Sequence, residues 1–230
     1  RGLGNSDFDL NASQPVSMVY DDIVQENPIL KGFPLFDLQQ VEVLRGPQGT
    51  MFGRNSPAGV IKFDSVKPSQ ETSGYAKASY GTKGTANAEA ALGGSLGGNW
   101  SGRVSALAQH RDGWIDNDYT GKKDDLGGYN DRAVRLQAMY DVQDFNALIN
   151  VHGRWLDGSA MVNRANAIPL GSDSLAPGFD RDVVYQDGLN RQHLFSWGSN
   201  LHLTWNLGDY TLTSITGFEK ATTYSLGDVD

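Results

Sequence analysis

Cysteine is absent from the 230 residues, which removes disulfide frameworks, thiolate metal centres and cysteine nucleophiles together. An excess of basic charge is absent too. Nineteen lysines and arginines stand against 27 aspartates and glutamates, for a net charge of −8, whereas nucleic-acid binding wants a positive footprint. No apolar run approaches the ~20 residues of a membrane-crossing helix. That excludes helical spans alone, because strands that cross a bilayer leave only a weak alternating trace. The opening Arg1-Gly2-Leu3-Gly4-Asn5 lacks the hydrophobic core of a signal peptide, and the sequence reads as starting in the middle of something. No Ser/His/Asp spacing or carboxylate pair points to catalysis, so neither an enzyme nor a cofactor is expected.

Glycine is what the chain has in plenty: 28 residues, against a usual share of roughly 7%. They crowd the stretch Gln40–Pro68, QVEVLRGPQGTMFGRNSPAGVIKFDSVKP. Val41-Glu42-Val43-Leu44 alternates as a short strand, Val60-Ile61-Lys62-Phe63 reads as a second, and turn residues separate them. No Gly-Lys-Ser/Thr follows at phosphate-loop spacing, so a P-loop is excluded. Arg45 and Arg54 sit among residues too small to shield them, and if buried they need partners from elsewhere.

These residues resemble the second half of the plug domain of TonB-dependent outer-membrane receptors. The resemblance is carried by Val41, Glu42, Val43, Leu44, Arg45, Gly46, Pro47, Gly49, Phe52, Gly53, Arg54, Gly59, Ile61 and the Lys67-Pro68 pair. Ala58 replaces a usual glycine, Val60 takes a usually small position, and Lys62-Phe63-Asp64 departs from the common ending. Upstream, Val16–Tyr20 is a candidate strand in which Asp22 fits the family's aspartate while Ile23 stands where glycine is usual. The resemblance implies that the following loop rises toward substrate, with Gln25, Asn27, Lys31 and Phe33 as candidate contacts.

From Thr72 the chain turns to long alternating runs. Phe145, Ala147, Ile149, Val151 and Trp155 oppose Asn146, Asn150, His152 and Arg154. Phe195, Trp197, Leu201, Leu203 and Trp205 oppose Ser196, Asn200, His202, Thr204 and Asn206. Residues 133–140 and 100–111 do the same, and 73–81, 85–95 and 210–222 do so more weakly. Seven strands are expected, longer than the soluble mode of about 5–6 residues and close to the ~9–11 that cross a bilayer. Connections are short at 96–99, 141–144 and 208–209 but long at 112–131 and 156–193, with 81–84 tight. Aromatics flank both ends. Short turns on one rim, long loops on the other and two aromatic belts describe an outer-membrane barrel. The same alternation also fits a soluble seven-stranded sandwich, with the aromatics turned inward.

The expected fold class is therefore a small, mainly β plug of mixed α+β type over residues 1–70, followed at 71–230 by about seven strands of an antiparallel transmembrane β-barrel. Seven strands do not close a plugged barrel, which takes 22, so a piece of a larger receptor is expected. The resemblance implies an outer-membrane location and energised uptake of a ferric siderophore, haem, cobalamin or an oligosaccharide. The implied partners are TonB, whose box lies outside this stretch, outer-membrane lipid and the small-molecule nutrient. A passive porin or a soluble β-rich binding protein are the alternatives. Arg45 and Arg54 are expected to pair with barrel carboxylates.

In the long loop after residue 111, Trp114, Asp116, Asp118 and Tyr119 are candidate substrate contacts. Asp116-Asn117-Asp118 with Gly121 starts like a calcium loop, but Gly127 falls where the bidentate glutamate belongs, so no metal is expected. His110, His152, His193 and His202 are dispersed; His152 and His202 read as hydrated residues on the polar face.

Overall fold

The computed structural model describes residues 12, 14–53, 55–164 and 167–228. A four-stranded sheet comes first, ordered β2-β1-β4-β3. Its members are β1 (Val16–Tyr20), β2 (Ile23–Gln25), β3 (Leu38–Arg45) and β4 (Gly59–Ser65). β3 and β4 pair antiparallel, with Val43 opposite Ile61, while β1 lies parallel to β4 on its other side. The turn between β1 and β2 is made by Asp21 and Asp22, with φ of 45° and 62°. Two successive left-handed residues suit the right-handed twist of a hairpin, and aspartate tolerates them. Ile23 in the glycine position is thereby explained: the left-handed pair falls just before it.

The glycine-rich stretch between β3 and β4 differs from the expected plain turn. It holds one helical turn, α1 (Gly49–Phe52), closed by the N–H of Gly53 donating to the carbonyl of Gly49.

The second sheet is antiparallel and seven-stranded, ordered β14-β13-β11-β10-β7-β6-β5. It comprises β5 (Ser73–Tyr80), β6 (Ala86–Gly97), β7 (Trp100–Arg111), β10 (Tyr129–Val142), β11 (Phe145–Gly158), β13 (Arg191–Leu207) and β14 (Tyr210–Leu226). All seven expected strands are present, several longer than their alternating cores. The turns on one rim thus shrink to two residues, 98–99, 143–144 and 208–209.

The opposite rim carries more structure than the sequence suggests. Its loops fold into a three-stranded sheet of β8 (Ile115–Asn117), β9 (Lys122–Leu126) and β12 (Val183–Val184). β12 pairs parallel to β8 across some 65 residues of chain, a non-local contact that local alternation cannot announce. Ile115, Leu126 and Val184 form its core, with Trp114 and Val162 packed against it.

Burial on the large sheet is inverted relative to a water-soluble fold. Arg103, Arg135, Gln137, Asn150, His152, Arg154, Ser196 and Asn200 are buried on the face toward the small sheet. Leu92, Val104, Leu136, Ile149, Val151, Leu201 and Phe218 stand exposed on the other. A sandwich needs the reverse. Trp155 and Trp205 are on the exposed face, at 43% and 50% accessibility, and Phe195 is half-buried against Trp155.

Aromatic pairs mark both rims: Trp100 with Tyr140 and Phe145 with Trp205 near the tight turns, Trp155 with Phe195 and Trp197 with Phe218 toward the loops. Three of these pairs are directly opposite in the register, and Trp197 and Phe218 are offset by two positions.

Candidate functional site: the polar contact between the two sheets

The two sheets meet through charged and hydrogen-bonding groups around a small apolar patch. Phe36, Leu107 and Ala133 are buried together, with Phe33 beside them. Next to this patch lies Asp37, whose side chain is fully buried and whose backbone is left-handed at φ 49°. Arg103 grips the Asp37 carboxylate with two nearly parallel bonds, Nε to Oδ2 at 2.7 Å and Nη2 to Oδ1 at 2.6 Å. Arg135, fully buried, approaches the same carboxylate at 3.7 Å. It donates to the carbonyls of Phe36 and Asp37 at 2.9 and 3.0 Å and to the Tyr20 hydroxyl. Its guanidinium also lies 4.8 Å from the Phe36 ring centre.

Glu89 completes the cluster, accepting from the Asp37 N–H at 3.2 Å and from the Tyr75 hydroxyl. Two guanidinium groups thus converge on one buried carboxylate, and forked arginine–carboxylate bonds are among the stronger protein hydrogen bonds. Burial pushes the Tyr20 phenol well above its ordinary range, although the neighbouring Arg135 acts the other way.

Further contacts repeat the theme. Asp21 accepts from the Ser65 N–H and hydroxyl, both at 2.8 Å, and from Asn150 Nδ2 at 2.9 Å. Gln137 donates to the Ser65 hydroxyl at 3.0 Å. Arg154 is forked onto Asp131 of its own sheet and reaches the Gly32 carbonyl at 2.5 Å. His152 meets Glu219 at 3.1 Å with Phe33 against its ring, and His202 lies 3.7 Å from Asp22. These histidines are therefore paired groups at the contact, a correction to the reading of hydrated side chains. Lys62 bridges Asp22 and Asp64 at 3.0 Å each. Burial lowers its pKa, but the two carboxylates more than offset that and leave it raised.

The residues singled out in the sequence divide among several places. Gly46, Pro47, Gly49 and Gly53 lie in the turn region around α1, while Gly59 opens β4. Gly46 and Gly53 have φ of 88° and 73°. Arg45 is exposed and forms no ion pair among the described residues; Arg54 lies outside them. The buried pair that is present has the opposite polarity to the expected one, with its carboxylate in the small sheet and its arginines in the large one.

Gln25 is buried and Lys31 donates to the Val16 carbonyl at 3.2 Å. Both line a cleft between the sheets together with Phe33. Asn27 is exposed and caps the Ile29 N–H at 3.0 Å. On the loop rim, Trp114 is packed into the small core, and Asp116 is bound by Lys123 at 2.5 Å, which holds its carboxyl below the usual range. Asp118 and Tyr119 stay exposed. Asp37 was missed: it precedes the motif by a few residues and looks like an ordinary loop aspartate. Arg103 and Arg135 showed only as polar members of alternating strands.

Residues 1–60 match the family model described as the TonB-dependent Receptor Plug Domain. This first quarter of the chain is therefore similar to the plug of TonB-dependent receptors. A stretch of 95 residues is 37% identical to the pesticin receptor of Yersinia enterocolitica. That match covers 41% of this chain and 14% of the relative. The ferric yersiniabactin uptake receptor FyuA from Yersinia pestis superposes with a TM-score of 0.76 at 20% identity, over 92% of this chain and 32% of that one. The pyoverdine outer membrane receptor FpvA from Pseudomonas aeruginosa PAO1, bound to pyoverdine, gives 0.67 at 16% identity, over 89% and 30%. The chain thus spans about a third of these structures. At such identities they carry the fold, namely a plug sheet seated against part of a barrel wall.

Proposed function

We propose that the protein takes part in energy-dependent uptake of a ferric siderophore across the bacterial outer membrane. In this reading residues 1–70 form the plug, residues 71–230 form part of a 22-stranded barrel, and TonB supplies the pull. The observation that carries it is the character of the plug–wall contact. The plug is held chiefly by ion pairs and hydrogen bonds. An intact buried ion pair contributes little net stability, and once water enters, its charges are rehydrated. A hydrophobic seam would instead resist removal in proportion to its area. A plug fastened this way is tight at rest and removable under force. Arg45 and Arg54 are kept as candidates for further pairs with barrel carboxylates. Gln25, Asn27, Lys31, Phe33, Trp114, Asp116, Asp118 and Tyr119 are kept as candidate cargo contacts.

Uptake of radioactive iron presented as a ferric siderophore, by cells expressing the protein, is the test. Uptake that stops on adding an uncoupler supports energised transport. Uptake indifferent to the uncoupler would favour a passive pore, a reading the seated plug argues against.

Membrane location has its own test at Leu136, which is 52% accessible in the middle of β10. Arginine at a lipid-facing midplane position costs about 2–4 kcal/mol, whereas an exposed site in a water-soluble sheet changes by roughly 0.5 or less. Leu136→Arg is expected to lower folding stability in bilayers by the larger amount, read by urea titration in lipid vesicles. A neutral result would remove the bilayer from the account.

A further inference from the structure

The outward face of the seven-stranded sheet carries few charges, and they gather at one end. Residues directly opposite in an antiparallel pair share a face. Arg132 on β10 stands opposite Trp155 on β11, Trp155 opposite Phe195 on β13, and Trp197 opposite Lys220 on β14. Trp155 and Trp197 are exposed on the side away from the plug, so Arg132 and Lys220 lie on that side too, toward the long loops. Both cations are exposed, and neither has a hydrogen bond or an ion pair among the described residues. Arg191, at the start of β13, is a third of the same kind. The strands place one carboxylate on this face, Asp157, and His193 holds it at 2.7 Å. Toward the tight turns the face has no charged residue in any of the seven strands.

In a chain of net charge −8, unpaired positive charge is thus concentrated on one face, beside the aromatic belt that meets lipid headgroups. Charge complementarity selects an anionic lipid over a zwitterionic one. Spacing narrows the class further. Arg132 and Lys220 sit three strands apart with an offset of two residues. At about 4.8 Å per strand and about 3.4 Å per residue, their Cα atoms are ~16 Å apart. Trp155, Phe195 and Trp197 occupy the face between them, so a single phosphate cannot sit on both. Two phosphates on one rigid sugar headgroup can, and the aromatic rings then face the sugars. Beside Arg132 a groove of about 390 Å³, lined by Ala78, Ala86, Ala88 and Ala108, gives an acyl chain a bed next to its phosphate.

We propose that this face docks one bisphosphorylated glycolipid, with Arg132 on one phosphate and Lys220 on the other. The docking rests on the outer-membrane location proposed above, but not on uptake of any cargo.

Native mass spectrometry of the protein in a neutral, phosphate-free detergent reads the binding. The probes are bisphosphorylated lipid A, its monophosphoryl form, cardiolipin and phosphatidylglycerol. Lipid A is expected to be retained at a concentration at least tenfold below the other three. Arg132→Gln and Lys220→Gln, both at exposed positions, should each bring lipid A down to the level of the monophosphoryl form while the urea unfolding midpoint stays unchanged. Equal retention of lipid A and the monophosphoryl form overturns the proposal. So does lipid A binding that is unaltered in either variant, or a preference for cardiolipin. Cell fractionation separates this outcome from the location: protein recovered in the outer membrane without the lipid preference sinks the docking site alone, whereas protein in the soluble fraction removes the membrane on which it depends.

Discussion

Asp37→Ala is expected to destabilise the seated plug by about 3–5 kcal/mol, because it leaves Arg103 and Arg135 buried without their shared anion. The backbone is not the cause of that loss. Asp37 is left-handed, and Asp37→Asn keeps a residue that tolerates the conformation while removing the charge. The asparagine variant should therefore lose most of the same amount. Urea titration of the purified protein reads the stability, and sensitivity of cells to large antibiotics reads the leak. Adding Arg103→Met to Asp37→Ala should recover part of the loss, since the double change removes both a charge and its missing partner. If Asp37→Ala melts within about 0.5 kcal/mol of the parent, the cluster is not what seats the plug.

A second large effect is expected at Gly59→Ala. Gly59 has a φ of 150° and sits at the first rung of β4, opposite Arg45 on β3 and Val16 on β1. A Cβ there would lie 2.4 Å from the Leu44 carbonyl oxygen, a backbone atom that cannot swing aside. Two ladders meet at this residue, so the clash is relieved only by opening one of them. A cost of about 2–3 kcal/mol follows, from strain plus lost pairing. Hydrogen exchange over residues 14–66 should speed up while β7, β10 and β11 stay protected. Uniform exchange in parent and variant would show that the rung tolerates a methyl group.

Much of the architecture is legible because a strand with one apolar face and one polar face writes itself into every second residue. Val104, Ala106 and Ala108 against Arg103, Ser105 and Gln109 is enough to place β7, and the same holds for β11 and β13. The glycine and proline punctuation of residues 46–59 located the plug turn, although not the helical turn inside it. What stayed hidden depends on partners distant in sequence. β12 is two residues long and exists only because β8 lies beside it. Asp37 has no local signature, and its role comes from arginines 66 and 98 positions later. Alternation also says which face a side chain takes but not what it meets there. His152 and His202 lie on the polar face that alternation implies, but there they meet Glu219 and Asp22 instead of water.

If the protein transports as proposed, the polarity of the clamp bears on passage itself. Should the small sheet be drawn out, its aspartate would leave with it and the guanidinium groups of Arg103 and Arg135 would stay behind, newly wetted, on the channel side of β7 and β10. The gap created by opening would then be cationic along this flank. On the proposed reading, a negatively charged iron complex would find counter-charges waiting in the space the plug has just left.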